Sequence, residues 1–212
     1  MIDTPFLPHP EPIPGARIKV VGVGGAGCNA LNRMIESGVS GVEFIAMNTD
    51  QQSLSLCKAP HQIILGPSSM RGLGAGGNSD RGYVAAEESR DEILKQLDGS
   101  DMVFITAGMG GGTGTGAAPV VANYAKELNA LTVAVVLTPF AWEGKSKLEK
   151  AHKGLEKLRG VADTVIAVSN ERLKSLCTQE ATQKEVFRMA DSVLIQGVRA
   201  VSYTHLTLPT KA

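Results

Sequence analysis

Residues 108–116 read Gly-Met-Gly-Gly-Gly-Thr-Gly-Thr-Gly and lie between an apolar, strand-like run at 102–106 and a helical pattern that extends to about residue 128. Ordering glycine in a fixed conformation costs roughly 0.5–1 kcal/mol per residue relative to alanine. A loop that only reversed the chain would not need so many glycines. Successive backbone N–H groups, helped by the hydroxyls of Thr113 and Thr115, can hold a polyphosphate. Because regular elements flank it closely, we interpret this segment as a phosphate-binding loop rather than a flexible linker.

A second glycine-rich loop occurs near the start of the chain. Residues 22–27 read Gly-Val-Gly-Gly-Ala-Gly, follow the β-branched run at 18–21 and precede a helical pattern at 30–35. The free N–H groups and positive dipole of a helix N-terminus suit an anion. The same spacing is found in NAD-binding Rossmann domains, and Asp50 lies roughly where such a domain has its ribose-binding acid. This loop by itself is therefore compatible with an NAD-binding domain or with another phosphate site. A turn that binds no ligand is a less favoured interpretation.

A third candidate, Gly144-Lys145-Ser146, resembles the end of a Walker A loop. The Walker pattern requires glycine at position 139, where this chain has proline. Proline lacks a backbone N–H, and its ring restricts the turn. The sequence disfavours a Walker-type role for this segment.

Strand and helix patterns alternate along the chain. The predicted strands are 18–21, 42–47, 62–65, 102–106, 131–137 and 164–168, and the later predicted helices are 83–97, a segment ending near 128, 147–158 and 183–200. Such alternation predicts an α/β fold with a doubly wound, mainly parallel Rossmann-like sheet and helices on both faces. Ligands of these sheets bind beyond the carboxyl ends of the strands. Each glycine-rich loop follows a strand, so the loops are predicted to meet at one edge.

Composition argues against several other classes of protein. The chain has 21 basic and 21 acidic residues, so no nucleic-acid partner is predicted. It has no run of about 18 apolar residues, and we expect no direct insertion into a membrane. Its three cysteines are widely separated, which is typical of reduced thiols in a cytosolic protein and predicts neither disulfides nor a metal site.

Several motifs together resemble one family. Gly-Gly-Gly-Thr-Gly-Thr-Gly at 110–116 is similar to the signature loop shared by tubulins and FtsZ, the tubulin-like bacterial cell-division GTPases. Further segments follow the FtsZ order: Gly-Gly-Ala-Gly-Cys-Asn at 24–29, Asn-Thr-Asp at 48–50, Gly-Leu-Gly-Ala-Gly-Gly-Asn at 72–78 and Pro-Phe-Ala-Trp-Glu-Gly at 139–144. The similarity covers about residues 17–201. A dehydrogenase would not carry the loop at 110–116, so the resemblance disfavours NAD as the ligand.

The resemblance implies GTP or GDP as the bound nucleotide, with Mg²⁺ held on its phosphates. The residues expected around the α- and β-phosphates are Gly25, Ala26, Gly27, Cys28 and Asn29. Those expected around the β- and γ-phosphates are Gly110, Gly111, Gly112, Thr113, Gly114, Thr115 and Gly116. Ala75, Gly76 and Gly77 are expected to sense the γ-phosphate through backbone N–H groups. We expect Cys28 to contribute its backbone N–H, and a side chain at Gly112 to require an unfavourable backbone angle.

The resemblance also implies how the nucleoside is bound. Glu143 matches the ribose-binding acid, and Asn170 matches an asparagine that contacts the base or sugar. Lys147 stands where the family usually has arginine. The lysine ammonium keeps the positive charge but cannot form the bidentate hydrogen bonds of a planar guanidinium. Phe187 and Asp191, four residues apart on the last predicted helix, share a face. Phe187 matches a residue that stacks on guanine, and Asp191 matches one that accepts from its N–H edge. Considered without the other motifs, such a pair would more often be a phenylalanine in the core and an aspartate on the surface.

The resemblance divides the chain into parts. We expect a disordered proline-rich tail at 1–15, a GTP-binding domain at 16–201 ending in the central helix, and a stretch at 202–212 that fits neither the family nor a natural domain end. The family's C-terminal domain is not expected in this chain. FtsZ hydrolyses GTP with acidic residues supplied by the next subunit, on a loop close to Asn-x-Asp-Phe-Ala-Asp, and this sequence has no such motif. We therefore assign no catalytic residue and expect the chain to bind GTP without hydrolysing it alone.

The resemblance carries expectations for the parent protein as well. It implies head-to-tail self-association into filaments during Z-ring and septum assembly. Membrane anchors and division proteins would bind through a C-terminal tail. The expected location is the cytoplasm, at the division site.

Overall fold

The structure, a computed structural model, describes residues 16–172 together with residues 189, 192, 195 and 196. The predicted tails at 1–15 and 202–212 lie outside the described residues, as does most of the predicted helix at 183–200. No helix in the described part of the chain combines the length and the apolar character needed to cross a membrane.

Six parallel strands form a single sheet in the order β3-β2-β1-β4-β5-β6. Their bounds are β1 Ile18–Val23, β2 Glu43–Asn48, β3 His61–Ile64, β4 Met102–Gly108, β5 Leu131–Thr138 and β6 Thr164–Ser169. The strand order reverses between β1 and β4, which are direct neighbours. The crevice at such a reversal is where doubly wound sheets bind their ligands.

Helices cover both faces of the sheet. Their bounds are α1 Gly24–Glu36, α2 Gln51–Ser55, α3 Ser79–Glu88, α4 Arg90–Leu97, α5 Thr113–Glu127 and α6 Lys145–Arg159, with a 3₁₀ turn at Ala141–Glu143. Side chains alternate along each strand, so Val20 belongs to the core cluster that includes residues of α1 and α2, and Val21 belongs to the cluster that includes residues of α3 to α6. The predicted doubly wound α/β fold is confirmed.

Two helical regions differ from the sequence prediction. The helix predicted at 83–97 is two helices separated at Ser89, whose buried Oγ accepts a hydrogen bond from the backbone N–H of Gly66 at 3.0 Å. The short helix α2 was not predicted. Asp50 caps it by accepting from the backbone N–H groups of Gln52 and Ser53. Both differences involve polar contacts, a tertiary one at Ser89 and a local one at Asp50, rather than hydrophobic periodicity.

Strand register places the two main glycine loops side by side. Val23 pairs with Ala107, so α1 begins next to the loop that follows β4. Gly24 has φ +73°, and a Cβ there would lie 3.0 Å from the backbone nitrogen of Gly114. Glycine is required at this position both for its backbone angle and for the close approach.

Candidate functional site

A cavity of about 300 Å³ lies at the carboxyl ends of β1, β4 and β5. It is lined by residues 23–26 after β1, residues 108–114 after β4 and residues 137–139 after β5, together with Glu143, Lys147 and Asn170. The predicted convergence of glycine-rich loops at one edge of the sheet is therefore observed. The position coincides with the reversal of strand order.

The loop after β4 is held by threonine hydroxyls and strand backbone. The Oγ1 of buried Thr115 accepts from the backbone N–H of Gly110 at 2.8 Å. The hydroxyls of Thr113 and Thr49 are 2.6 Å apart, and Met109 donates its backbone N–H to the Leu137 carbonyl at 2.8 Å. Thr115 thus shapes the loop, and with Gly116 it lines a separate cavity rather than the one described above.

Only the first residues of the segment after β1 line the cavity. Gly25 and Ala26 line the cavity, whereas Asn29 is exposed on α1 and is not among the lining residues. Gly27 is buried, and a Cβ there would lie 2.5 Å from the Thr106 carbonyl oxygen. The Sγ of buried Cys28 is directed at the Gly22 carbonyl, 3.9 Å away.

Cys28 has the properties of a structural thiol. Cys57 donates its thiol to the Cys28 carbonyl at 3.6 Å, so the two buried cysteines lie close together. The neighbouring Cys57 side chain and burial raise the pKa of the Cys28 thiol well above its usual range. A protonated, buried thiol is a poor nucleophile, so the side chain contributes packing rather than chemistry.

The opposite side of the cavity carries polar side chains held in fixed positions. Glu143 accepts from the backbone N–H of Phe140 at 2.8 Å through Oε1, and Oε2 pairs with Lys147 Nζ at 3.0 Å. Asn170 is only 4% exposed, yet its Oδ1 has no hydrogen-bond partner among the described residues. A buried oxygen without a donor is costly unless a ligand or water satisfies it. Asn170 lines the cavity, where a ligand hydroxyl or amine could donate to this oxygen.

A second cavity of about 280 Å³ adjoins the first, since both are lined by Gly25, Gly112 and Thr113. Its other walls are residues 48–50, Ser53 and the loop at 73–77. We call these two adjoining cavities the joined cavities. The combined lining includes Asn170 in the first cavity and Gly77 in the second. Ten of the 26 lining residues are glycines, whose backbone N–H groups suit an extended polyphosphate.

Gly112 departs from the sequence prediction. Its backbone is helical, with φ −83° and ψ −69°, so the expectation of an unfavourable backbone angle for a larger residue was wrong. The constraint is steric. A Cβ at Gly112 would lie 2.9 Å from the Ala75 Cβ and 3.0 Å from the backbone nitrogen of Asn78.

The structure brings most of the predicted site residues together. Those that line the joined cavities are Gly25, Ala26, Ala75, Gly76, Gly77, Gly110, Gly111, Gly112, Thr113, Gly114, Glu143, Lys147 and Asn170. Gly27, Cys28, Asn29, Thr115 and Gly116 lie next to these loops without lining the cavities. Phe187 and Asp191 lie outside the described residues.

Some lining residues received no predicted role. Among them are Asn48 and Thr49 at the end of β2 and Thr138 and Pro139 at the end of β5. Their position just beyond strand ends is the signal that could have identified them. Within the described residues, no three His, Cys, Asp or Glu side chains are grouped in a way that could hold a metal ion.

Comparison with known proteins identifies the fold and the family. The Tubulin/FtsZ family, GTPase domain, matches residues 17–178. The structure is similar to an empty FtsZ dimer from M. jannaschii, with a TM-score of 0.85 and 45% sequence identity over 93% of this chain and 57% of that chain. A GTPγS-bound protofilament of CetZ2 from Haloferax volcanii has a TM-score of 0.80 at 23% identity, over 92% of this chain and 60% of that one, and supports the fold alone.

The chain spans less than two thirds of the length of these solved structures. The family match covers most of the chain. It includes all the residues that line the two cavities. This chain therefore belongs to the Tubulin/FtsZ family and contains its GTPase domain.

Proposed function

We propose that this chain binds GTP and GDP in the joined cavities, with the polyphosphate across the loops that follow β1 and β4. The observation that carries the proposal is the meeting of two glycine-rich loops at the strand-order reversal, beside a buried Asn170 oxygen that has no donor among the described residues. The membership of a GTPase family supports a guanine nucleotide as the ligand. The cavities fit such a ligand because backbone N–H groups can follow successive phosphates.

The polar side chains at one end of the joined cavities determine the proposed orientation of the nucleotide. Glu143 and Asn170 offer acceptors to hydroxyls or amines of the nucleoside, and Lys147 adds a positive charge beside Glu143. The phosphates then extend past Gly25 and Thr113 toward the loop at 73–77. Mg²⁺ is proposed to bind the phosphates and water, since this ion keeps much of its hydration shell in such sites.

Guanine selectivity is proposed to come from Phe187 and Asp191, which lie outside the described residues. On a helix, a spacing of four residues puts two side chains on the same face, which is the arrangement proposed for this pair. A carboxylate accepts from the two adjacent N–H donors of guanine, whereas adenine presents a lone pair at the equivalent ring nitrogen. The family match, which ends at residue 178, does not reach this pair.

For the longer parent protein we propose a filament-forming GTPase of cell division, located in the cytoplasm at the division site. The similarity to an FtsZ dimer supports self-association. In a head-to-tail filament each subunit contributes two different surfaces. The 212-residue chain has the nucleotide cavity but no Asn-x-Asp-Phe-Ala-Asp segment in its sequence. We therefore propose that it binds GTP without hydrolysing it alone, and that membrane anchors and other division proteins bind the parent through a tail outside this sequence.

Phosphate release measured together with light scattering tests this proposal. The chain with GTP and Mg²⁺ should show neither turnover nor filaments. Mixed below stoichiometry with full-length parent protein, it should shorten polymers, because it offers only one of the two surfaces. Its own GTP could then be hydrolysed by groups supplied in trans. Steady turnover by the chain alone, or unchanged polymer length in the mixture, would contradict the proposal.

A further inference from the structure

The loop at 73–77 has little regular structure of its own. Gly76 and Gly77 have φ values of +59° and +73°, and a Cβ on Gly77 would meet nothing within 4 Å. On its inner side, Ala75 is buried and lies against Gly112. Gly74 donates its backbone N–H to the Thr49 carbonyl at 3.0 Å. These contacts hold the first half of the loop, and Asn78, which caps α3 and donates its backbone N–H to the Ala75 carbonyl, follows its second half.

Lys150 on α6 adds a long-range contact to the second half of the loop. Its Nζ donates to the Gly77 carbonyl oxygen at 2.9 Å, although the two residues are 73 positions apart. Both residues line a third cavity, of about 580 Å³, whose walls come from the loop, the start of α3 and α6. Helix α6 is itself firmly placed, because Gly154 lets it pack closely on Met109 and Thr115. The lysine therefore joins a glycine-rich loop to a well-packed helix.

The hydrogen bond also fixes the orientation of one peptide group. The carbonyl of Gly77 and the N–H of Asn78 belong to the same planar unit and point in opposite directions. With the carbonyl directed at α6, the Asn78 N–H points back into the loop. This nitrogen donates to Ala75 at 3.1 Å and lies 3.0 Å from the Cβ position on Gly112. The Lys150 bond thus holds the loop against the wall that the last phosphate would approach.

We propose that Lys150 is a positioning residue for the terminal phosphate of the bound nucleotide. The inference rests on the proposed function. Lys150 does not line either of the joined cavities and would act through the loop at 73–77. Because GDP lacks the phosphate that would reach this loop, loss of the bond should weaken GTP binding and leave GDP binding unchanged.

The test compares GTP and GDP affinities by calorimetry for the full chain and three variants. Lys150→Met keeps the aliphatic stem and removes the donor. It should weaken GTP binding about three- to tenfold, as expected for a partly exposed hydrogen bond from a charged group. GDP affinity should change less than about twofold. Lys150→Arg should restore most of the GTP affinity, since it keeps a charged donor.

Lys153→Met is the matched control, because Lys153 lines the same third cavity from the next turn of α6. It should leave the ratio of GTP to GDP affinity unchanged. An unaltered ratio in folded Lys150→Met, or an equal loss of both affinities, would overturn the inference. Failure of the unsubstituted chain to bind either nucleotide would instead refute the proposed function.

Discussion

At the scale of single residues, Gly25 allows the nucleotide site to be tested without disturbing the fold. Gly25 lines both joined cavities, lies within α1, and has open space where a Cβ would stand. Gly25→Val should fill the path of the phosphates and weaken GTP binding at least about tenfold, equivalent to about 1.4 kcal/mol. Calorimetry measures the affinity, and circular dichroism checks that the helix content is unchanged.

Gly160→Val is the control for this substitution. Gly160 caps the C-terminus of α6 with φ −72°, and a Cβ there meets only ordinary contacts. It should bind GTP as well as the unsubstituted chain does. A folded Gly25→Val variant with full GTP affinity would show that the nucleotide does not cross this loop.

Cys28 gives a second prediction at the residue scale. Its side chain is buried and points at the Gly22 carbonyl rather than into the cavity. Cys28→Ala should lower the free energy of unfolding by about 1 kcal/mol, as expected for removing a small buried side chain. GTP affinity should stay within about twofold, because the backbone N–H remains. Urea denaturation and calorimetry measure the two quantities, and a tenfold loss of GTP affinity in the folded variant would indicate a direct thiol contact.

At the scale of elements, the sequence predicted the sheet better than the helix boundaries. Strands such as β1 and β5 contain β-branched runs whose burial on both faces makes them recognisable. Helix α2 has five residues, too few for a 3.6-residue period to show. The break at Ser89 depends on Gly66, which is 23 residues away. A tertiary hydrogen bond of this kind leaves no local pattern.

Tertiary contacts in the candidate site likewise could not be predicted from the sequence. The glycine loops were predictable because each follows a strand, and strand ends meet at one edge. The pairing of Thr49 with Thr113 and of Lys150 with Gly77 joins residues 64 and 73 positions apart. Only the folded arrangement of α6 and the loops shows these contacts. Glu143 and Lys147, four residues apart, form the kind of pair that helical spacing can suggest.

Helix α2 carries a prediction that depends on pH. Hydrogen bonds from the Ser53 hydroxyl and from the Ser53 and Gln52 backbone N–H groups lower the pKa of Asp50 below its usual value. Asp50→Ala removes the helix cap and should reduce the free energy of unfolding by about 1 kcal/mol at pH 7. The folded state binds the Asp50 proton less tightly than the unfolded state. The stabilisation is therefore complete above the unfolded pKa of about 4 and is lost as the pH falls through the lower folded pKa.

Urea denaturation at a series of pH values measures this difference. The gap between the unsubstituted chain and Asp50→Ala should be constant from pH 7 to about pH 5 and should narrow below about pH 4. Gln52→Ala, at an exposed position on the same helix, serves as the control and should show no such dependence. A gap that widens on acidification would contradict the assignment of Asp50 as an ionised cap.

At the scale of the whole molecule, one parallel sheet brings distant loops to a single edge. Loops after β1, β2, β4 and β5 all reach the joined cavities, and α6 reaches them from the side through Lys147. This arrangement explains why a chain with balanced charge can still bind a polyanion. Backbone N–H groups and helix N-termini supply the positive potential locally, without a basic surface.

Calorimetric titration of the chain with GTP, GDP and ATP tests the central claim most directly. One GTP or GDP should bind per chain, and ATP should bind up to about 10⁴-fold more weakly, because a site built to accept from guanine N–H donors leaves its carboxylate unpaired with adenine. Asp191→Ala should reduce this difference while the phosphate loops remain intact. Equal affinities for GTP and ATP, or no binding of GTP at all, would contradict the claim that this chain is a guanine-nucleotide-binding domain.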